Sequence, residues 1–461
     1  MNTMEGKRIN MATMPFGRRH AWVVFVASLG QLIGTGVATL AGVIIPMLNI
    51  VLHPELSSTM QGLIGAMDLI GIVFGSVIFG KLTDKYGYLF FFRLCPFIVL
   101  VGSVIAALIH SVPVLIVCLF FIGLGIGGEY SLDSDYISEL MPEKWTSFMI
   151  GLAKTASAFG NIVVAGVCFL IINHWRDAYA WPDMMWISAA IAATMLICRI
   201  WFYQSPKWLE EHGKDKEAQV AVQKFLGQDV YIEPENTTDT TNTSGASPKV
   251  TKSSAKNNSF LLSNWRQIVL TGIPWACEGL GVYGIGVFLP VLVMSLGIEH
   301  ASPSELPIMH VASSVEVTFY ISCIILPGFL LGLWLIQRKC NICSLQSWGF
   351  WACAASLVIL LLSSLYSWPK WISICAFMAF ELFLNMGPHL VTYVLPPKVF
   401  PVSVRGLGTG LAASLGKIGA VAGVFFIPVL LHAGGTTLVL IVSAGVMALG
   451  GVVTTIFSKA V

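Results

Sequence analysis

Apolar residues dominate this chain in long runs that short polar stretches separate. A helix needs about 20 predominantly apolar residues to cross a bilayer, and the runs are of that length or longer. They lie near residues 21–47, 59–80, 90–110, 112–138, 147–173 and 182–203, and then near 267–296, 307–336, 345–365, 369–394, 404–431 and 434–456. The pattern predicts twelve membrane-spanning helices, numbered here spans 1 to 12, with six on each side of a polar insert.

The insert, residues 204–264, separates an N-terminal six-helix bundle (1–203) from a C-terminal one (265–461). It begins with an amphipathic segment and continues with a Thr-, Asn- and Ser-rich stretch that has too few apolar side chains to fold alone. Landmarks in the first half recur 259 positions later: Gly128, Pro142, Gly151 and Gly160 correspond to Gly387, Pro401, Gly410 and Gly419. A repeat of this length predicts an all-α membrane protein of two pseudo-symmetric bundles with a site between them.

The composition and the charge distribution support a membrane location. The chain is 56% hydrophobic and 11% charged, with a mean hydropathy of +0.79, which is too apolar for a water-exposed surface. The basic residues are spread over loops and not gathered on one face, so a nucleic-acid partner is excluded. Of 26 Lys and Arg residues, only Arg176 and Lys370 fall in the predicted outer loops. We therefore expect both termini and the insert to be cytoplasmic, in a monomer in a plasma or bacterial inner membrane.

Several charged residues lie well inside the predicted spans. A charge in hydrocarbon is costly unless it faces a wet cavity or a partner, so such residues are functional candidates. They are the acids Asp68, Glu129, Asp133, Glu278, Glu316 and Glu381 and the bases Lys154 and Lys417. Lys154 has an alternative role as the ion-pair partner of Glu129 or Asp133, and the acids of span 4, Glu129 and Asp135 among them, have the alternative of lying in cytoplasmic water. No role is assigned to Glu316 or Glu381.

One polar turn joins spans 2 and 3, and it reads Gly80-Lys-Leu-Thr-Asp84-Lys85-Tyr-Gly87. Glycine permits a sharp reversal, and an acid flanked by bases can cap or pair with another helix. The sequence has no phosphate-binding loop, no nucleophile motif and no cluster of metal ligands. We therefore predict that the protein is not an enzyme and needs no cofactor, with a proton gradient as its energy source.

Together these motifs resemble those of the major facilitator superfamily of secondary transporters. The turn from Gly80 to Gly87 is similar to the loop motif of that superfamily, and Ser205-Pro206-Lys207-Trp208-Leu209 is similar to the S-P-R-W-L of its sugar porters. The resemblance implies a gating motif formed by Gly80, Asp84, Lys85, Gly87 and Arg405.

Within that superfamily the chain resembles proton-coupled phosphate symporters. Gly125-x-Gly127-Gly128-Glu129-Tyr130 resembles their G-x-G-G-D-Y, and further similarities occur in spans 7, 10 and 11. The resemblance and the buried charges together predict a substrate site made by Tyr130, Trp275, Tyr283, Asn385 and Lys417, and proton coupling by Glu129, Asp133, Glu278 and Asp68. The chain departs from that family at Gly34 and Gly279, where the symporters carry aspartates, and at Ser157, where they carry glutamine.

We predict a proton-coupled symporter of a small polar solute, with an anion such as inorganic phosphate, a phosphate ester or another organic anion as first choice. In this interpretation Lys417 holds the anion and Glu129 carries the proton. The alternatives are a sugar or polyol, an organic cation, or a substrate sensor that retains the fold without transport.

Overall fold

The computed structural model describes residues 9–10, 16–141, 143–204, 206–226, 230–231, 264–302, 304–338, 340–400 and 405–458. Nearly all of them are helical, which confirms the predicted all-α class. Two short strands, Ile9–Asn10 and Val230–Tyr231, pair in parallel and bring the start of the chain to the insert.

The N-terminal half contains six helical spans. Span 6 begins as a 3₁₀ helix, and two short helices of the insert follow it. The bounds are Arg18–Val51, Ser58–Tyr86, Tyr88–Leu108, Val112–Leu140, Glu143–Trp175 and Ala178–Met184 continued by Met185–Arg199 for spans 1 to 6, then Pro206–Glu211 and Asp215–Leu226 in the insert.

The C-terminal half contains more irregular helices. Span 7 is Trp265–Gly279, a π-helical segment Leu280–Ile285 and Leu289–Ser295. Spans 8, 9 and 10 are Pro307–Ser322 with Ile325–Gln337, Ile342–Leu365, and Lys370–Met386 with Pro388–Val394, and the short helix Pro396–Val399 follows. Spans 11 and 12 are the two parts of Arg405–Phe457, which is interrupted at Gly434 and Gly435.

The number of spans agrees with the hydrophobic pattern. Among the described residues, eleven helices are long and apolar enough to cross a membrane. The last of them, Leu411–Phe457, has 47 residues and contains the interruption at Gly434, so it makes two crossings. The predicted twelve crossings are therefore confirmed.

Helix packing follows the internal repeat. Span 1 packs against span 5 as its counterpart span 7 packs against span 11, and span 3 packs against span 6 as span 9 packs against span 12. Between the halves the main contacts join span 2 to span 11 and span 5 to span 8. Because the repeat equates span 2 with span 8 and span 5 with span 11, these two contacts are symmetry-related. The halves thus meet about a pseudo-twofold axis.

Glycines close one end of the interface between the halves. A Cβ atom on Gly62, near the start of span 2, would lie 2.5 Å from the carbonyl oxygen of Phe425 in span 11. Gly42 of span 1 lies against the carbonyl group of Val287 in the same way. Backbones can approach this closely only where no side chain intervenes. The halves are therefore in contact at the end where span 1 ends and span 2 begins.

The predicted turn between spans 2 and 3 is shorter than the sequence suggested. The helix of span 2 continues through Tyr86, and only Gly87, with φ of +87°, separates it from span 3. The prediction of a turn over the whole of Gly80 to Gly87 is therefore wrong. The surroundings of Gly80 and the side chains of Asp84, Lys85 and Arg405 lie outside the described residues, so the gating motif stays a prediction.

Candidate functional site

Two lysines from opposite halves meet around one tyrosine near the middle of the molecule. The Nζ atom of Lys154 in span 5 lies 5.0 Å from the ring centroid of Tyr130 in span 4 and 4.7 Å from that of Tyr393 in span 10. The Nζ atom of Lys417 in span 11 lies 4.8 Å from the ring centroid of Tyr130 and 4.7 Å from that of Tyr283 in span 7. Two spans of the N-terminal half, 4 and 5, and three of the C-terminal half, 7, 10 and 11, thus form one aromatic site with two cations.

The lysines are held by neutral groups. Lys154 Nζ donates a hydrogen bond to Gln31 Oε1 at 2.9 Å, and Lys417 Nζ donates to the Tyr283 hydroxyl at 3.3 Å. Within the described part of the chain neither ammonium group has a carboxylate at ion-pair distance. Cation–π contacts stabilise a desolvated ammonium group by about 2 kcal/mol, which is less than the several kcal/mol that desolvation costs. An anion between the two nitrogen atoms would make up the difference.

Trp275 forms one wall of this site. Its ring packs edge-on against Tyr393, with ring centroids 5.0 Å apart, and lies directly on Gly416, the residue before Lys417. Any side chain at Gly416 would displace the indole. The predicted substrate-binding residues Tyr130, Trp275, Tyr283 and Lys417 therefore lie together, and Lys154 and Tyr393 join them.

Two buried acids lie at the edge of the lysine site. Asp68 in span 2 interacts electrostatically with Lys417, and Glu278 in span 7 interacts with both Lys417 and Lys154. Asp68 is 0% and Glu278 is 2% exposed. One oxygen of Asp68 accepts a hydrogen bond from the backbone N–H of Leu69 at 2.8 Å, and the other has no donor among the described residues. Both acids thus attract the lysines electrostatically, but neither lies at ion-pair distance from them.

A row of polar side chains leads from Glu278 along span 10. His389 Nε2 lies 3.7 Å from Glu278 Oε1, and His389 Nδ1 lies 2.8 Å from Asn385 Oδ1. Asn385 Nδ2 in turn donates to Glu381 Oε2 at 3.1 Å. The predicted residue Asn385 therefore contacts Glu381 and His389 instead of the lysines. Sequence reasoning missed His389, although its spacing of four residues from Asn385 and eight from Glu381 places all three on one face of a helix.

Glu129 and Asp133 occupy a different site, on the side of span 4 that faces spans 3 and 6. Arg199 Nη1 donates to Glu129 Oε1 at 2.8 Å, and Arg199 Nη2 lies 3.3 Å from Asp133 Oδ1. The guanidinium carbon lies 3.7 Å from the ring centroid of Phe92, whose carbonyl group accepts a further hydrogen bond at 2.8 Å. Arg199 is 0% exposed, so this is a fully buried ionic cluster.

The cluster corrects the proposed pairing of Lys154. Arg199, and not Lys154, is the base that pairs with Glu129 and Asp133, and sequence reasoning assigned no role to it. Gln31 connects the two sites, because its side chain accepts from Lys154 and also interacts with Asp133. The side chain of Asp135 lies outside the described residues. Glu316 lies apart from both sites and accepts a hydrogen bond from Tyr320 at 3.2 Å.

The family of the chain follows from comparison with known proteins. The family model described as "Sugar (and other) transporter" matches residues 19–461, so the chain belongs to that family. The inner membrane metabolite transport protein YgcS of Escherichia coli is 24% identical over 98% of this chain and 94% of its own length. The niacin transporter NiaP of Acinetobacter baylyi is 24% identical over 89% of this chain and 87% of its own.

Solved structures share the fold. A D-xylose–proton symporter has a TM-score of 0.74 with this chain at 17% identity, covering 94% of this chain and 97% of the symporter. The chain is thus a multi-pass membrane transporter of the major facilitator fold, and the predicted superfamily is confirmed. Family and fold are those of membrane transporters and not of enzymes.

Proposed function

We propose that the protein carries a small anion together with protons across the membrane by alternating access. The observation that carries this proposal is the pair of lysines, Lys154 and Lys417, which come from opposite halves and have no carboxylate at ion-pair distance among the described residues. Alternating access by rocking of one bundle against the other requires that the solute binds to both halves.

The charges of the site favour an anion over the alternatives. A cation would be repelled by two ammonium groups at the aromatic rings that would otherwise receive it. A neutral sugar would leave both ammonium groups without a direct ion-pair partner, whereas a carboxylate or phosphate would bridge them with charge-assisted hydrogen bonds. The aromatic side chains of Tyr130, Tyr283, Tyr393 and Trp275 add flat walls that suit an aromatic carboxylate such as nicotinate. Inorganic phosphate and phosphate esters remain candidates because of the span 4 motif.

The same charges account for coupling to protons. Lys154 and Lys417 together balance Asp68 and Glu278, so the empty site is neutral when both acids are ionised. A bound monoanion adds one negative charge in a region with little access to water, where net charge is costly. Uptake of one proton restores neutrality. Anion and proton then cross together, and the proton gradient drives accumulation.

Transport by purified protein in liposomes tests the proposal. The panel consists of labelled nicotinate, inorganic phosphate, glycerol phosphate, xylose and a quaternary amine, each with and without an inward proton gradient. We expect gradient-driven uptake of at least one anion and a loss of about tenfold or more in Lys154→Gln and Lys417→Gln. Lys370→Gln is the matched control, because Lys370 is exposed and contacts only the carbonyl group of Glu299 among the interactions described.

Each other outcome of this screen has a meaning. Uptake of xylose or the amine alone, with normal rates in both lysine variants, would replace the anion with a sugar or a cation. Binding of an anion without transport of any solute would favour the sensor. Loss of uptake in Lys370→Gln to the same degree would show that the lysine effects are not specific to the site.

A further inference from the structure

Four buried side chains form a continuous polar chain between spans 7 and 10. Glu278, Glu381, Asn385 and His389 are between 2% and 5% exposed. Groups of this kind are rare in a membrane interior, and they mark proton or ion sites when they line a cavity. Three of them, together with Thr35, Thr39 and Asn161 of the N-terminal half, line a polar cavity at the interface of the halves.

The orientation of Asn385 determines which nitrogen of His389 carries a hydrogen. Asn385 Nδ2 lies 2.8 Å from the backbone carbonyl oxygen of Glu381 and 3.1 Å from its Oε2. Because a carbonyl oxygen only accepts, the amide nitrogen must face Glu381 and the amide oxygen must face His389. That oxygen is an acceptor too, so His389 Nδ1 carries the hydrogen at the 2.8 Å contact.

Neutral His389 therefore directs the lone pair of Nε2 at Glu278 Oε1, 3.7 Å away. A lone pair facing an ionised carboxylate is repulsive, and one proton between the two atoms removes the repulsion. The proton can reside on Glu278 as a carboxyl group or on His389 as an imidazolium ion paired with the carboxylate. The two residues thus share one proton site.

The other groups around this pair determine when the proton is held. Lys154 of span 5 and Lys417 of span 11 interact electrostatically with both His389 and Glu278. The rings of Phe329 in span 8 and Tyr393 in span 10 pack beside the imidazole, with centroids 5.1 and 6.3 Å away. The lysines disfavour an added positive charge, and an anion bound to them cancels that effect.

We propose that Glu278 and His389 together take up the transported proton, and that Asn385 is a positioning residue that fixes the tautomer of His389. Anion binding and protonation then favour each other through Lys154 and Lys417, and thermodynamic linkage makes the effect reciprocal. This inference rests on the proposed function and adds the site of its proton. Glu278 is one of the predicted coupling acids, whereas His389 is not, and the site differs from the arginine cluster that contains Glu129, the residue that the motif in span 4 suggested.

Infrared titration of the purified, full-length protein without solute tests the proton site directly. We expect a protonated-carboxyl band that is absent in Glu278→Gln and present in Glu316→Gln, the matched control. His389→Gln and Asn385→Leu should both change the pH at which this band titrates, whereas a merely structural asparagine would leave that pH unchanged. Wild-type titration in Glu278→Gln, or in both His389→Gln and Asn385→Leu, would overturn the proposal.

Transport of labelled nicotinate and inorganic phosphate gives the second measurement. Glu278→Gln should retain exchange of either probe but accumulate neither above equilibrium, because exchange needs no net proton release. Normal accumulation in this variant would overturn the proposal. If the wild-type protein transports no anion, the proposed function fails, while the titration still decides whether Glu278 and His389 hold a proton.

Discussion

Two glycines stand where the phosphate symporters that this chain resembles carry aspartates, and neighbouring atoms leave no room for a side chain at either position. At Gly34 a Cβ atom would lie 2.5 Å from the Tyr130 hydroxyl oxygen, so the tyrosine fills the space of the missing aspartate. At Gly279 a Cβ atom would lie 2.5 Å from the carbonyl oxygen of Gly416, so close packing of spans 7 and 11 excludes a side chain there. Glu278, one position earlier, supplies the acid of span 7 instead.

Gly34→Ala should therefore displace Tyr130 and weaken anion binding. The added methyl group overlaps the phenol, and overpacking of this kind costs about 1–3 kcal/mol. Adding Tyr130→Phe removes the hydroxyl and should recover part of the thermal stability, as a double-mutant cycle in detergent would measure. If the two substitutions changed the thermal stability additively, the contact between Gly34 and the Tyr130 hydroxyl would be contradicted.

Arg199 should be essential for stability. Replacing it with glutamine leaves Glu129 and Asp133 buried without a counter-charge, and breaking a buried pair in this way costs about 3–5 kcal/mol. Thermal unfolding in detergent should show a large loss for Arg199→Gln and a smaller one for Glu129→Gln, because Asp133 remains to pair with the arginine. A midpoint for Arg199→Gln equal to that of the wild type would contradict a structural role.

At the level of the helices, the sequence predicted the existence and the order of the spans well, because each span is a long apolar run. It failed where polar residues belong to a helix, since Lys81 to Tyr86 suggested a loop but continue span 2. The sequence also could not predict which helices that are distant along the chain pack against each other. Arg199 sits at the end of its span, and nothing in the sequence shows that it turns toward Glu129 rather than toward water. Tyr393 and His389 had no motif behind them, so their places in the site come from the packing of span 10.

The turn at Gly87 is testable as an element. Its φ of +87° and ψ of 165° lie in a region that only glycine adopts readily, and a Cβ atom would also meet the side-chain amide of Gln204. Gly87→Ala should cost about 1–3 kcal/mol of stability. Gly445→Ala is the control, because a Cβ atom there meets nothing within 4 Å. Equal unfolding midpoints for the two variants would refute the strained turn.

Across the whole molecule, the placement of the halves connects the sites to transport. Lys154 and Lys417 meet across the interface, whereas the Glu278 and His389 pair lies within the C-terminal half. Moving one half against the other therefore separates the lysines but carries the proton site intact. The constant offset of 259 residues indicated two halves, yet only the folded contacts reveal that span 2 meets span 11 and span 5 meets span 8.

The glycine contacts between the halves lead to a prediction about this motion. Gly62 lies against the backbone of Phe425, and Gly65 lies against the Val424 side chain at 2.8 Å from the position of an added Cβ. Gly62→Leu should stop the halves from closing at that end, so transport should be lost while anion binding from that side persists. We would measure uptake in liposomes and anion binding in detergent, with Gly445→Leu as the control. Normal uptake by Gly62→Leu would mean that this contact does not have to close during transport.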